Sequence, residues 1–290
     1  GLIDKVYHKL DGKIYAIKKI PLSPKIDKDI FRSKLDEIRV LANMNHPNIL
    51  RYHSSWMEYY SWEECFEGDS SNSITELEGL YLTIFLQTEI CDSNLRDWLI
   101  KRNKTKKINE KISMYILKQI LEGISYLHQM KLIHRDIKPE NILLVKPKAN
   151  DAYKYLLSND TNFSNSECNF LVKIADFGLA KSQFKSTEFE ILDDNKNYNT
   201  EGIGTRLYAS PEQLKSNDYN YKSDIYSLGL VMAELFHIVD FDDEDSFLRK
   251  LRRDKILPKN EVTDIILSCL NENADERLDC KDMLKLLFNK

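Results

Sequence analysis

The sequence predicts an α+β fold in which a strand-rich N-terminal part is followed by a larger, mostly helical part. Residues 1–20 have the pattern of two strands around a turn at Asp11-Gly12, and further strand-like runs occupy residues 49–56 and 80–89. Apolar residues then recur at helical spacing over residues 112–128 and form a helix-like run over residues 221–236. Runs of strands followed by runs of helices are typical of α+β proteins.

The composition of the 290-residue chain excludes several classes of protein. With 42% hydrophobic residues the chain can bury a large core, as one large domain or as two lobes around a cleft, so it is neither disordered nor fibrous. A net charge of −4 lacks the basic excess that indicates nucleic-acid binding. No apolar run approaches the ~20 residues of a membrane span, and no signal peptide is recognisable. We therefore expect neither nucleic-acid nor membrane contact from this segment.

The five cysteines are scattered, without a CxxC pair or a His-Cys cluster. This spacing favours reduced thiols of an intracellular, cytoplasmic protein over a structural zinc site. The chain opens at Gly1 rather than at a methionine, so we expect it to be a fragment of a longer protein.

The sequence is organised around the stretch LIHRDIKPENILL, residues 132–144. It places Asp136 two residues before Lys138 and five before Asn141, a spacing that suits phosphoryl transfer on one short loop. Asp136 can accept the proton of an attacking hydroxyl, Lys138 can offset charge on the moving phosphoryl group, and the Asn141 amide oxygen can ligate magnesium. The alternative is a chance charged turn between two apolar runs, which a pattern fixed at six positions disfavours.

The HRDxKPxN pattern of this loop resembles the catalytic loop of eukaryotic protein kinases, in the lysine form typical of Ser/Thr kinases. The resemblance covers essentially the whole chain and implies an ATP-dependent protein serine/threonine kinase with ATP and Mg²⁺ as cofactors. It also implies a bilobal kinase fold, with a small antiparallel-sheet N-lobe plus helix C over residues 1–90 and a larger, mostly helical C-lobe over residues 91–290. Within these lobes we expect inserts at about 61–78 and 146–170 and an activation segment at 176–212.

The N-lobe motifs of the resemblance concern nucleotide binding. In YAIK, Lys18 matches the lysine that holds the α and β phosphates in kinases, and Ala16 matches the alanine that lines the adenine slot. Gly1 is placed to be the last glycine of the Gly-rich loop, and Ile3 replaces the valine above adenine. Glu37, on a helix predicted over residues 25–44, can pair with Lys18. The alternatives are an ordinary surface lysine and a solvated helix glutamate.

The end of the strand-like run at 80–89 resembles the hinge that binds adenine. Its register places Thr88 at the gatekeeper position, with Glu89 and Cys91 in the hinge. A plain buried strand end would look the same. Leu143, which follows the catalytic loop, is a further candidate for the cofactor site.

The motif Asp176-Phe177-Gly178 resembles the DFG motif, whose aspartate ligates magnesium and whose phenylalanine packs against helix C. The activation segment that follows is closed by GTRLYASPEQL, which contains Thr205. Thr200, five residues earlier, is predicted to be the activating phosphosite, with Arg135 as its partner. The alternative is an ordinary loop threonine among the other hydroxyl residues of the segment.

Two further contacts of the C-lobe are expected from the resemblance. Glu212 of Pro211-Glu212, which matches the APE motif, should pair with Arg277. Ser223-Asp224 is an N-cap signal for the helix over residues 221–236, and the aspartate should bond the backbone of the catalytic loop.

Three stretches narrow the resemblance to the kinases of the α subunit of translation initiation factor 2, which lower translation under stress. They are LDGKIYAIKKI, FLQTEICDSNLRDWL, and GTRLYASPEQL together with YKSDIYSLGLVMAEL. The implied protein substrate is that subunit, and a homodimer for trans-autophosphorylation is compatible with the resemblance. The implied docking helix covers residues 245–253. Its apolar side consists of Phe247, Leu248 and Leu251, and its basic side consists of Arg249, Lys250, Arg252 and Arg253. The alternative is that the acidic residues 240–245 cap this helix and its basic side is merely solvated.

Three other functions stay open: a Ser/Thr kinase of another subfamily, a pseudokinase that acts as a scaffold, and an RNA-binding or structural module. The acidic balance disfavours the last. A full set of catalytic residues disfavours the scaffold, and its members are Lys18, Glu37, Asp136, Asn141 and Asp176.

Overall fold

The computed structural model describes most of the chain, in the ranges 2–22, 28–61, 80–146, 170–176, 181–182, 203–215, 219–239 and 244–288. The chain forms two compact units. The first comprises Gly1–Asn45 and Leu50–Ile90, and the second comprises His46–Ile49 and Cys91–Lys290.

The first unit is a four-stranded antiparallel sheet accompanied by one helix. The elements are β1 (Leu2–His8), β2 (Lys13–Pro21), α1 (Lys28–Asn43), β3 (Tyr52–Ser61) and β4 (Leu80–Glu89). The strands lie in the order β1-β2-β4-β3, so β2 and β4 are central. Ile84 and Phe85 of β4 and Tyr15 of β2 are buried in the core of this unit.

The hairpin of β1 and β2 turns at Asp11-Gly12, as the sequence predicts. Gly12 has a φ of 70°, a left-handed conformation that costs glycine little, and its N–H donates to the His8 carbonyl over 2.9 Å. The Asp11 carboxylate accepts from the Lys13 N–H, also over 2.9 Å. A side chain that bonds the backbone two residues on is a common way to stabilise such a turn.

One predicted strand boundary is wrong. The strand expected from Ile49 begins only at Tyr52. Ile49 instead forms a parallel bridge with Ile174 of the second unit, and the Ile174 N–H donates to the Asn48 carbonyl over 2.9 Å. Asn48 Nδ2 also donates to the Val172 carbonyl over 3.0 Å. These bonds explain why residues 46–49 group with the second unit.

The second unit is mostly helical, with short strands. A three-stranded sheet and a two-stranded pair, in the orders β5-β7-β8 and β6-β9, consist of β5 (Ser93–Asn94), β6 (Leu132–Ile133), β7 (Ile142–Val145), β8 (Leu171–Ile174) and β9 (Lys181–Ser182). The described helices are α2 (Leu95–Lys104), α3 (Glu110–Gln129), α4 (Ile203–Tyr208), α5 (Pro211–Lys215), α6 (Lys222–Phe236), α7 (Glu244–Asp254), α8 (Thr263–Cys269) and α9 (Cys280–Phe288). Turns of 3₁₀-helix occur at Pro139–Asn141 and Ala274–Glu276.

Helix α6 forms the core of the second unit, because every one of its residues is buried. A helix that is apolar nearly all round suits this position. Gly229 allows α8 to approach, since a Cβ at this position would lie 2.8 Å from Cys269 Cβ. In the part of the chain that the structure describes, no helix has both the length and the apolar character needed to cross a membrane.

The N-cap predicted at Ser223-Asp224 is wrong. Helix α6 begins one residue earlier, and its N-cap residue Tyr221 makes no side-chain capping bond. Both predicted cap residues lie in the first turn instead. The Ser223 hydroxyl donates to the Asn220 carbonyl over 2.9 Å, and the Asp224 carboxylate bonds a different segment, as follows below.

Candidate active site

Asp224 holds the start of the catalytic loop. Its fully buried carboxylate accepts from the His134 N–H over 2.9 Å and from the Arg135 N–H over 2.8 Å. The His128 ring lies 2.9 Å from the same carboxylate. Burial by itself would raise the pKa of Asp224, but the hydrogen bond from His128 and the backbone bond outweigh burial, and the pKa is lowered. The ionised carboxylate therefore bonds the loop backbone, the contact expected from the sequence.

His134 links the catalytic loop to the end of β8, a role that was not predicted from the sequence. The side chain is fully buried. Its Nδ1 accepts from the Asp136 N–H over 3.3 Å, and its Nε2 lies 2.9 Å from the Ala175 carbonyl. Because Nδ1 accepts, Nε2 carries the proton and donates to Ala175. The ring thus fixes both Asp136 and the residue that precedes Asp176.

Among the described residues, the Asp136 carboxylate is hydrogen-bonded through Oδ2 and not through Oδ1. Oδ2 lies 2.8 Å from Lys138 Nζ and accepts from Asn141 Nδ2 over 2.9 Å. Asn141 Nδ2 also donates to the Asp136 carbonyl over 2.8 Å, which closes the loop on itself. Oδ1 is buried and has no hydrogen-bond partner among the described residues. Such buried acceptors are rare in folded proteins, and each one calls for an explanation.

Asn141 and Asp176, the predicted magnesium ligands, lie on hydrogen-bonded backbone segments. The N–H of Ala175 donates to the Asn141 carbonyl over 2.9 Å. The amide nitrogen of Asn141 is engaged by Asp136, so its amide oxygen is the atom that can ligate a cation. Asp176 is exposed and has a φ of 63°, which aspartate tolerates better than most residues.

These two side chains fit a magnesium ion, because amide and carboxylate oxygens are the hard ligands it prefers. The two side chains alone do not complete the coordination of the ion. Within the described ranges, no group of three or more His, Cys, Asp or Glu side chains could hold a metal. An ion here would also need water or phosphate oxygens, as is usual for magnesium at a nucleotide.

Arg135 carries a cation that is only partly paired. Its backbone is fixed by Asp224 and by Gln213, whose Nε2 donates to the Arg135 carbonyl over 3.1 Å. The guanidinium lies over the Tyr219 ring at 5.0 Å, and burial lowers its pKa. The Nε atom is buried without a hydrogen-bond partner in the described ranges. This donor can therefore take an anionic partner.

Glu212 and Arg277 form the ion pair expected from the sequence. Arg277 Nη1 lies 2.6 Å from one Glu212 oxygen, and Nη2 lies 2.8 Å from the other. Burial acts to raise the pKa of Glu212, but the hydrogen bond and charge of Arg277, together with a backbone hydrogen bond, outweigh burial, and the pKa is lowered. Arg277 also donates to the carbonyls of Asn271 and Lys222 over 2.8 and 2.9 Å. The pair joins α5 to the start of α6.

In the first unit, the nucleotide-binding candidates share one face of the sheet. Strand register pairs Ile3 with Lys18, Lys18 with Leu86, and Ala16 with Thr88. Directly paired residues project to the same face, and so do residues two apart on one strand. Ile3, Ala16, Lys18 and Thr88 therefore lie together on this face.

Lys19 projects to the opposite face and is a structural residue. It is buried, lies 2.7 Å from an Asp4 carboxylate oxygen and donates to the Tyr60 hydroxyl over 2.8 Å. Its ammonium also lies 4.2 Å from the centre of the Tyr60 ring. The two neighbouring lysines of YAIKK thus have different surroundings, which allows their roles to be separated.

We expect Lys18→Met to lower the turnover of phosphoryl transfer by about 10²–10³-fold, the usual effect of removing one preorganised charge donor. Lys19→Met should leave turnover near the wild-type value. It should lower the free energy of unfolding by roughly 1–3 kcal/mol, because Asp4 and Tyr60 lose their partner. Radiolabelled phosphate transfer and thermal unfolding of both variants test this contrast. Equal loss of turnover in the two variants would show that Lys18 has no special role.

The remaining predicted residues are placed as follows. Glu89 closes β4 against Arg51, whose carbonyl accepts from the Glu89 N–H over 3.0 Å. Cys91 and Leu143 of β7 are both half-buried. Outside the described residues lie Gly1, Phe177, Thr200 and the side chains of Glu37 and Thr205.

Comparison with known proteins identifies the family of the chain. The protein kinase domain family matches residues 1–288. The interferon-induced, double-stranded RNA-activated protein kinase of Rattus norvegicus is 33% identical over 296 residues, which cover 99% of this chain and 49% of that protein. The same kinase of Mus musculus is 31% identical over 294 residues, covering 99% and 48%. Eukaryotic translation initiation factor 2-alpha kinase 1 of Rattus norvegicus is 33% identical over 366 residues, covering 81% and 56%.

An antiparallel-sheet unit, a helical unit and a loop that joins Asp136, Lys138 and Asn141 together define a protein kinase domain. The chain belongs to the protein kinase domain family and is of the serine/threonine type. The predicted α+β kinase fold and the predicted family are confirmed, and the family implies ATP as the phosphoryl donor. The chain spans about half the length of the curated relatives it matches.

Proposed function

We propose that the protein transfers the γ-phosphoryl group of ATP, with magnesium, to a serine of the α subunit of translation initiation factor 2. In this proposal it lowers translation in a cytoplasmic stress response. One observation carries the chemistry: Asp136 Oδ1 is buried and unpartnered among the described residues, while Oδ2 is held by two side chains. A substrate hydroxyl is a donor that would satisfy Oδ1. Similarity to a kinase named for that subunit supports the choice of substrate.

The proposed step follows from the bonds within the loop. As the substrate oxygen attacks the γ-phosphorus of ATP, the bond from that phosphorus to the bridging oxygen of the β-phosphate breaks and ADP leaves. The proton of the attacking hydroxyl passes to Asp136. Lys138 and Asn141 keep the carboxylate oriented, because both bond its other oxygen. The Lys138 ammonium can also offset negative charge on the moving group. Magnesium, when bound, neutralises charge on the phosphates.

Helix α7 is the proposed docking surface for the substrate, and the structure corrects its apolar side. The side expected from Phe247, Leu248 and Leu251 is not available to a partner. Leu248 and Leu251 are 0% and 2% exposed, and the Phe247 ring lies 6.4 Å from the His237 ring. Leu248 and Leu251 are thus buried within the second unit, and Phe247 is half-buried beside His237. Apolar docking through this helix is therefore not proposed.

Fewer basic residues of α7 are available for docking than the sequence implies. Arg252 donates to the carbonyls of Leu207 and Ala209 over 2.8 and 2.6 Å, so it is a structural residue and not a docking residue. The acidic residues of the first turn, Glu244 and Asp245, suit the positive end of the helix dipole. The exposed basic residues are Arg249, Lys250 and Arg253.

We expect the double charge reversal Arg249→Glu, Lys250→Glu to lower kcat/KM on the folded α subunit by about tenfold or more, because charge reversal removes the electrostatic attraction that speeds association at a basic docking surface. The value on a short peptide around the substrate serine should not change, since the peptide cannot reach α7. Lys281→Glu, on the exposed side of α9, is the matched control. Equal efficiency of the wild type on peptide and folded subunit would contradict docking through α7.

We also propose that Thr200 is the activating phosphosite and that Arg135 binds its phosphate. The unpartnered Nε of Arg135 supports this pairing, because a phosphate adds about −1.5 to −2 charge and strong acceptors. Thr200→Ala and Arg135→Met should each lower kinase activity by about tenfold, because each variant loses the charge-assisted hydrogen bonds between the phosphate and Arg135. Peptide mass mapping of the autophosphorylated protein checks the site. Phosphate only at other hydroxyls, with Thr200→Ala fully active, would show that the assignment is wrong.

A further inference from the structure

Arg96, in the first turn of α2, bonds four different parts of the second unit. Its Nε donates to Glu140 over 2.9 Å, and its Nη1 donates to Glu234 over 2.7 Å. Its Nη2 donates to the Tyr208 hydroxyl over 2.6 Å and lies 2.7 Å from a Glu244 oxygen. Only the planar fork of an arginine can direct donors to so many acceptors at once.

The partners of Arg96 belong to segments that the proposed reaction uses. Glu140 lies in the 3₁₀ turn Pro139–Asn141, between Lys138 and Asn141, the predicted magnesium ligand of the catalytic loop. Glu244 begins the proposed docking helix α7. Tyr208 ends α4, just before the Ser210-Pro211 entry to α5. A single side chain therefore connects the catalytic loop with the docking helix.

The charges in this cluster make the connection depend on Arg96. Three carboxylates face one guanidinium, and the Arg96 and Glu234 side chains are 11% and 3% exposed. Burial raises the pKa of Glu234 to about 7, and repulsion by Glu244 adds to the rise, while Arg96 lowers it. Without the arginine, the carboxylates of Glu140, Glu234 and Glu244 would repel one another.

We infer that Arg96 is a positioning residue for phosphoryl transfer, which holds the Glu140 turn of the catalytic loop in register with the start of α7. The inference rests on the proposed function. A purely stabilising ion cluster would change only the free energy of unfolding when the Arg96–Glu140 bond is removed. A positioning role requires that kcat falls as well.

The test uses the full-length protein and a double-mutant cycle on kcat. Glu140→Ala, which removes the bond to Arg96, should lower kcat by about fivefold, the equivalent of a partly exposed ion pair. Arg96→Ala should lower kcat by about tenfold to a hundredfold, since a small misplacement of catalytic groups can have that effect. The double variant should match Arg96→Ala, because the bond is already lost. KM for ATP should not change, and Lys101→Ala on the same helix is the control.

Each outcome decides the inference. Loss of kcat with this non-additivity supports it. Wild-type kcat in the folded single variants, or effects that simply multiply, would overturn it and leave the proposed function intact. If Arg96→Ala does not fold, Arg96→Lys takes its place in the cycle, with a lower kcat expected because one ammonium cannot bond four acceptors. A wild-type protein that transfers no phosphate would overturn the inference and the proposed function together.

Discussion

Asp136→Asn is expected to lower turnover by about 10²–10⁴-fold, the usual contribution of a general base, while nucleotide affinity stays near the wild-type value. The amide has nearly the shape of the carboxylate but cannot accept a proton. The oxygen that would receive the proton, Oδ1, has no hydrogen-bond partner among the described residues, so it is the acceptor that a substrate hydroxyl would satisfy. Single-turnover transfer of radiolabelled phosphate measures the chemical step, and equilibrium titration with a fluorescent nucleotide measures binding.

The control for this experiment is Asp264→Asn, the same substitution at an exposed position in the first turn of α8. It should leave both quantities unchanged. Turnover retained in the Asp136 variant would remove the proposed general base. Loss of nucleotide binding together with turnover would indicate that Asp136 maintains the loop structure through its bonds to Lys138 and Asn141 rather than accepting a proton.

Asp224→Asn is expected to lower the free energy of unfolding by roughly 3 kcal/mol at pH 7, because a fully buried charge that bonds two backbone N–H groups is lost. It should also lower kcat by about 10²-fold, since the loop that carries Asp136 loses its anchor. Urea unfolding and phosphate transfer by the same preparations measure the two effects.

The stability effect of Asp224 should depend on pH in one direction. Its folded-state pKa is lowered below the ordinary value of 3.8. The ionised carboxylate therefore stabilises the fold above that value, and the stabilisation is lost as the pH falls through the folded-state pKa. The difference between wild type and variant should be full at pH 7 and should narrow below about pH 4. A difference that stays constant over this range, or one that grows with acid, would contradict the assigned ionisation state.

Local sequence patterns predicted the parts of the site that lie close together in the chain. Asp136, Lys138 and Asn141 span six residues, so one loop conformation brings them together, and the structure shows their mutual bonds. Lys18 and Lys19 were separable in principle, since strand residues alternate between faces. Lys19 is the structural lysine because its side chain bonds Tyr60, about forty positions away in the chain. No local sequence pattern reveals this contact.

Helical periodicity predicted helix α7 but not the environment of its sides. The spacing of basic residues placed Arg252 among the docking candidates, whereas its bonds to Leu207 and Ala209 arise from chain segments more than forty residues apart. The same reason explains why Arg96 was not predicted. Its partners Glu140 and Glu234 are 44 and 138 residues away, and an arginine in the first turn of a helix has no local feature that indicates them.

Phosphate transfer by the full-length protein to the intact α subunit of translation initiation factor 2 tests the central proposal most directly. Radiolabelled ATP, magnesium and the purified subunit are incubated with wild type or Asp136→Asn, and the label is assigned by phosphoamino-acid analysis and peptide mapping. We expect label on a serine of the subunit with the wild type only. Nucleotide binding by the wild type without transfer to any protein would contradict the proposal and favour a pseudokinase scaffold, and label on other proteins but never on the subunit would contradict the proposed substrate.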